Sequence, residues 1–302
     1  MAGTTNGALR RLTYLAGYVP GGWTEELGDI CPLLRKGVSR TMSNFPRCNV
    51  LGVGVSAINP TVAIETIDGW IAGRRSHYVC LTGVHGVMES LRNPEIRRIH
   101  NEAGLVAPDG MPLVWVSQLS GFAGVSQVRG ADLMLALCAS SPEKGYRHFF
   151  YGGRKGVAER LAASLQRRFP GFEVVGTCCP PFRPLTEEED AWIVDQINSS
   201  GADIVWVGLS TPKQERWMAA HLGKLDVPVM IGVGAAFDFH AGLVAQAPRW
   251  MQRSGLEWLF RLIVEPRRLW RRYLFNNPSF LAMLLLQSVG LRRFPLDTKG
   301  AP

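Results

Sequence analysis

Asp109 stands between Pro108 and Gly110 in APDGMPLVW, a carboxylate on a tight turn ahead of an apolar run that reads as a strand. Pro-Asp-Gly is first of all a turn signal. A turn is also a rigid mount, and a carboxylate held on one is placed to act as a general base. Shortly downstream, SQVRGADLM sets Gln127 and Arg129 two positions apart, so an extended backbone points both to the same side. Asp132 then suits the N-cap of a helix.

Further polar groups gather where apolar runs end. LTGVHG supplies Thr82 and His85, YGGRKG supplies Arg154 and Lys155 behind a glycine turn, GLSTPKQE supplies Ser210, Thr211 and Gln214, and GVGAAFDFHAG supplies Gly234, Asp238 and His240. Taken singly, each is ordinary turn and cap chemistry. Together they suit a cleft for a nucleotide or a sugar phosphate. Open α/β sheets collect ligands at the carboxyl ends of their strands, where helix N-termini and backbone N–H groups attract phosphate. The segment GVGVSA, residues 52–57, fits G-x-G-x-x-A, but its glycines fall inside an apparent strand instead of a strand-to-helix turn, which argues against a dinucleotide site. The sequence has no Asp-x-Asp triplet and no G-x-x-x-x-G-K-[ST] loop. Any diphosphate is therefore expected to be met by Arg, Lys and backbone donors, with no metal and no cofactor.

The elements that must hold these residues are legible as apolar runs. NVLGVGVSAI, HYVCLTGV, HFFYGG, FEVVGTCC, ADIVWVGL and VPVMIGVGAAF read as buried strands, most of them separated by helical stretches. That alternation predicts an α/β fold, a mainly parallel sheet with helices on both faces. Asn59-Pro60 and a Thr186/Glu189 capping box mark two helix starts, and Pro212 opens another. Residues 1–46, rich in Gly, Pro and Arg, read as a variable arm and residues 47–246 as the α/β domain. In residues 247–302 Arg, Trp and Leu mix at helical spacing, which reads as an amphipathic appendage.

The chain has 302 residues, 46% hydrophobic and 19% charged, enough for a large core, and a net charge of +8. Residues 249–302 hold nine Arg and one Lys against Glu257, Glu265 and Asp297, a balance of +7, while the remainder sets 23 basic residues against 22 acidic ones. A neutral body with a basic tail argues against a nucleic-acid groove, which would spread its charge. In EPRRLWRRYLFNNPSF, Arg267, Arg268, Arg271 and Arg272 share one helical face, and Leu269, Trp270, Tyr273 and Leu274 the other. A membrane-surface helix, an anion site, a nucleic-acid contact and a solvated helix packed on its own core all fit that pattern. The apolar run from Phe280 to Leu291 is shorter than the roughly 20 residues that span a bilayer, and the first residues are too broken for a signal peptide. Six cysteines with no CxxC pair and no zinc spacing read as reduced cytosolic thiols.

PDGMPLVW, VRGADLM, PPFRPLTEEED, GLSTPKQERW, GVGAAFDFHAG and APRWMQRSGLEWLFRLIVEPRRLWRRYL, in this order from about Leu51 to Asn276, resemble the WecG/TagA/CpsF family of glycosyltransferases. The resemblance implies a Rossmann-like fold and an inverting, metal-independent hexosyltransferase. Its donor would be a UDP-sugar of glucose, N-acetylmannosamine or the corresponding uronic acid, and its acceptor a polyprenyl-diphosphate-linked sugar in bacterial surface or exopolysaccharide synthesis. It also implies a cytoplasmic protein docked peripherally on the inner face of the cell membrane, and leaves a homo-oligomer open. By motif, Asp109 matches the general base, Thr82 and Gln214 match polar positions that bind donor or acceptor, and Arg261, Arg268 and Arg271 match arginines that reach the acceptor diphosphate. His85, Gln127, Arg129, Gly234 and Asp238 complete the expected substrate-binding set. Two positions depart from the family pattern, Val84 for a frequent Asn and Gln127 for a frequent Arg, and His85 and Arg129 are near enough to compensate. The alternative reading is a non-catalytic nucleotide-binding assembly subunit tethered to the membrane by its basic tail.

Overall fold

The computed structural model describes residues 45–296, all within one compact unit. All but the last two residues of the expected N-terminal arm, and Cys31 with them, lie outside the described residues. The other five cysteines form no disulfide.

NVLGVGVSAI is a hairpin, not a single strand. Its halves β1 (Arg47–Val50) and β2 (Val53–Ser56) pair antiparallel as a separate two-stranded sheet. Leu51 and Gly52 form the turn with φ of 52° and 86°, the doubly left-handed geometry that matches the twist of paired strands. Glycine adopts it freely, whereas leucine is strained there. Leu51 is held in place because its side chain is fully buried and its N–H donates to Gln287 Oε1 at 2.9 Å.

The body then alternates as expected: α1 (Pro60–Ala72), β3 (His77–Thr82), α2 (Val84–Arg92), α3 (Pro94–Glu102), β4 (Leu105–Pro108), α4 (Met111–Leu119), α5 (Gly130–Lys144), β5 (Arg147–Gly152), α6 (Val157–Arg168), β6 (Glu173–Cys178), α7 (Glu187–Ser200), β7 (Ile204–Gly208), α8 (Lys213–His221), β8 (Val229–Gly232) and α9 (Ala236–His240). Six strands form one sheet in the order β4-β3-β8-β7-β5-β6, and every pairing is parallel. The fold is therefore Rossmann-like α/β. Period-two alternation sorts the strand side chains: Val79, Leu81, Phe150, Trp206 and Ile231 pack under α1, α5 and α6, while Tyr78, Cys80, Tyr151, Val207 and Met230 pack under α2, α3, α7 and α8. Asn59 caps α1 through Val62 N–H, and Thr186 with Glu189 closes a capping box on α7.

Two local readings change. MPLVWVSQL after Asp109 is the helix α4, with Pro112 in its first turn and Leu113 and Val116 buried toward the hairpin side; a short apolar run carries no periodicity that separates strand from helix. Asp132 lies within the first turn of α5, whose N-cap is Arg129, and pairs with the Arg129 and Arg249 guanidiniums.

Three helices complete the described chain: α10 (Arg249–Arg253), α11 (Glu257–Val264) and α12 (Pro266–Ser288). They do not stand apart from the body. Phe280 and Phe294 enter the core beneath the α2 face, Gln287 Nε2 donates to Asn49 O at 2.9 Å, and Asn49 Nδ2 donates to Phe294 O at 2.7 Å. Among the described residues no helix is long and apolar enough to cross a membrane.

Candidate active site

A cleft of about 1520 Å³ opens along the carboxyl ends of β3, β4, β5, β7 and β8, and α11 and α12 wall its far side. This is where an open parallel sheet offers its loops and helix N-termini to a ligand. Asp109 lies at the floor, on the turn between β4 and α4. Three hydrogen bonds fasten that turn: Asp109 N–H to Thr82 O at 2.9 Å, Val128 N–H to Pro108 O at 2.9 Å, and Gln127 Nε2 to Asp109 O at 2.7 Å. Asp109 Oδ1 in turn accepts the Gly130 N–H at 3.0 Å. Burial, reinforced by the Glu257 carboxylate, pushes the Asp109 pKa up to about 6, and the Gly130 N–H, Arg129 and Arg261 pull the other way. A carboxylate poised near neutrality on a pinned turn can exchange a proton with a bound hydroxyl.

The remaining expected residues divide into those that face the cleft and those that build it. Gln127, Gln214, Gly234 and Asp238 line it. Asp238 pairs with Arg154 at 3.4 Å across the rim. Arg129 also reaches the lining, but its guanidinium is committed: Nε and NH2 each meet Glu257 at 3.2 Å, and NH1 meets Asp132 at 2.9 Å and Gln252 at 2.7 Å. It bolts the start of α5 to α10 and α11. Thr82 is fully buried behind the floor, its hydroxyl directed to Cys80 O and its carbonyl holding Asp109. His85 lines the cleft with Nδ1 3.1 Å from Asn276 Nδ2 and with the Thr211 carbonyl as a further partner. Burial and the cationic Arg272 hold its pKa down to about 3, so the ring is neutral.

Residues 48–294 match the glycosyl transferase WecG/TagA/CpsF family. The chain belongs to that family. It is 32% identical over 197 residues to an N-acetylglucosaminyldiphosphoundecaprenol N-acetyl-β-D-mannosaminyltransferase of Bacillus spizizenii, covering 65% of this chain and 74% of that one. It is 28% identical over 219 residues to the enzyme of the same description from Bacillus subtilis, covering 69% and 83% respectively. The protein is thus an enzyme, a hexosyltransferase of the WecG/TagA/CpsF kind.

In this glycosyltransferase the cationic helix is divided differently from the expected two faces. Leu269, Asn276 and Phe280 are buried and Arg272 turns inward with them, because on α12 these positions recur at spacings of three, four and seven. Arg261, Arg268 and Arg272 line the cleft. Arg271 instead lies over the Trp270 ring, 5.2 Å from its centroid, outside the cleft lining. The Nε atoms of Arg261 and Arg272 are buried without hydrogen-bond partners, and burial together with the nearby Arg261 and Arg268 lowers the Arg272 pKa. Crowded guanidiniums with unmet donors make a receptor for an anion. Glu257 and Asn276 were not singled out from sequence, and Arg272 was placed on the arginine face of the helix but not among the residues that meet the diphosphate. Arg272 carried a signal, since it follows Arg268 by one helical turn, but Glu257 and Asn276 acquire roles only once α11 and α12 fold back over the sheet.

Proposed function

We propose that this glycosyltransferase moves a sugar from a UDP-sugar to the sugar of a polyprenyl-diphosphate-linked acceptor, with inversion, during assembly of a bacterial surface or exported polysaccharide. Asp109 carries the reading, as a pinned carboxylate at the cleft floor whose proton affinity suits a base at neutral pH. It removes the proton from the acceptor hydroxyl, and that oxygen forms a bond to the anomeric carbon from the face opposite UDP. The bond between the anomeric carbon and the phosphate oxygen breaks, and UDP leaves with the electron pair. Donor binding falls to the ends of β5, β7 and β8, around Gln214, Gly234 and Asp238. Arg261, Arg268 and Arg272 meet the acceptor diphosphate, with Arg272 in place of the expected Arg271. The charge is handled by guanidiniums, so transfer proceeds without a metal.

The outer face of α12 supports a membrane-surface position for the enzyme. Trp270, Leu274 and Leu285, 42–62% exposed, fall on one stripe with Arg267 and Arg271 beside it. An apolar stripe edged by arginines suits an anionic lipid interface, where a lipid-linked acceptor would be met.

The test is incubation with a panel of UDP-sugars, N-acetylmannosamine first, and a short-chain polyprenyl-diphospho-N-acetylglucosamine acceptor, with and without chelator. Anomeric configuration is read by NMR. Chelator-resistant transfer with inverted product is expected. Retention, or loss of activity with chelator, would overturn the corresponding part.

A further inference from the structure

The cleft arginines pose an electrostatic problem. Arg261 and Arg268 both raise the energy of the charged Arg272, and among the described residues Arg268 alone of the three forms an ion pair with a carboxylate, Glu265 on its own helix. Phe280 and Gln287 anchor the far half of α12, but its arginine half must stay docked while the cleft is empty of anion. The chemistry of its contact with α2 supplies the holder. Asn276 lies at the next turn after Arg272 on the same stripe and is 4% exposed. Arg92 of α2, itself fixed by Glu89 at 3.0 Å, directs NH2 to Asn276 Oδ1.

A guanidinium only donates, so the amide must turn its oxygen to Arg92 and its Nδ2 to His85. His85 Nδ1, 3.1 Å away, must then be the bare nitrogen; the Glu89 Oε1 that also faces it stands 3.8 Å off, beyond hydrogen-bond reach. The ring proton therefore sits on Nε2, toward the Thr211 carbonyl. Beyond it, Thr211 Oγ1 donates to Glu215 Oε1 at 2.9 Å, which also takes Gln214 Nε2 at 3.1 Å. The direction of every hydrogen bond from Arg92 to Thr211 is thus dictated by its first donor.

We propose that Asn276 is a positioning residue. Through this relay of fixed polarity it holds the arginine half of α12 on α2, keeps Arg268 and Arg272 in the cleft against their mutual repulsion, and ties that docked state to Thr211 and the start of α8, which bears Gln214. The role deepens the proposed function, since it assumes that the arginines receive a diphosphate. It also gives His85 a different task from direct ligand binding, because its ring is engaged by Asn276 and by the Thr211 backbone.

The experiment uses the full chain with ¹⁵N-labelled histidine and inorganic pyrophosphate as the probe. In the unaltered protein His85 should be the neutral Nε2–H tautomer down to about pH 5. Asn276→Ala should weaken pyrophosphate about tenfold, the scale of a hydrogen bond to a charged group, and raise KM for the lipid-linked acceptor with little change in kcat. Asn276→Asp keeps a partner for Arg92 but has no hydrogen to give, so His85 should acquire a proton on Nδ1, visible as a changed ¹⁵N shift even if the alanine variant folds poorly. No pyrophosphate binding by the unaltered protein would sink the diphosphate reading and the proposal with it. Binding that Asn276→Ala leaves within twofold, or an Nδ1–H tautomer in the unaltered protein, would sink the positioning role alone.

Discussion

Replacing Asp109 by Asn should make the protein more stable and nearly inactive at once, and the two effects should respond to pH in a linked way. The carboxyl titrates at about 6 in the folded protein against an ordinary 3.8, so folding takes up a proton between those values. The raised pKa means that the carboxylate is costly in the fold. Stability from this group is fully present below about pH 4 and is lost as pH rises toward 6. At pH 8 the cost approaches about 3 kcal/mol, from roughly two units at 1.36 kcal/mol each, and at pH 4 it is about 0.5 kcal/mol. Asparagine keeps an acceptor for the Gly130 N–H and carries no charge. Urea unfolding at both pH values should therefore find Asp109→Asn more stable at pH 8 by up to about 3 kcal/mol and almost equal at pH 4. Transfer at pH 8 should fall about 10²-fold or more, the scale for losing acid–base help. In the unaltered enzyme kcat/KM should rise with pH and level off above about 6. A variant that keeps near-normal turnover, or a stability difference independent of pH, would refute the reasoning.

Three further outcomes follow from the geometry. Glu257→Gln removes the charge that raises the Asp109 pKa, so the acid limb of the kcat/KM profile should move to lower pH; an upward move would contradict the assigned electrostatics. Arg272→Ala removes a buried cation crowded by two others, so the melting temperature should hold or rise while KM for the acceptor increases about tenfold or more. Gly208→Ala would set a methyl 2.4 Å from the Phe237 ring at the strand end that feeds the Leu209–Gln214 loop, and should lower the urea midpoint by an amount worth about 1–3 kcal/mol.

The sheet was legible because its strands read as unbroken apolar runs with turn signals at their carboxyl ends, and all of them are largely buried except β6, which was expected to be buried but lies half-exposed at the sheet edge. β4 escaped notice, since Leu105–Pro108 is four residues long and ends in proline. The hairpin escaped because Leu51, a residue with no turn propensity, occupies a left-handed position that only burial and Gln287 sustain. At the site, Asp109, Gln127, Gln214 and Gly234 could be read locally, as strand-end residues do not depend on distant segments to reach the cleft. Arg129 was found as a residue but not in its task, because its partners Glu257 and Gln252 lie more than 120 positions away. The arginine face of α12 was blurred for a related reason. Periodicity orders side chains around a helix, and only packing on α2 decides which of them turns inward.

The clasp between Leu51, Asn49 and Gln287 bears on the order in which the chain can be completed. As the polypeptide is made from its amino end, the hairpin strands emerge about 240 residues before the helix that accepts the Leu51 N–H. Until then the hairpin turn lacks the partner that offsets its strained leucine. The nascent protein therefore keeps one end of its core unfinished until α12 and Phe294 have been made, and a chain released before them would expose the pocket that Phe280 and Phe294 fill. Such a fragment would present an aggregation-prone edge instead of a slower enzyme. In this sense α12 completes the hairpin end of the core as well as walling the cleft.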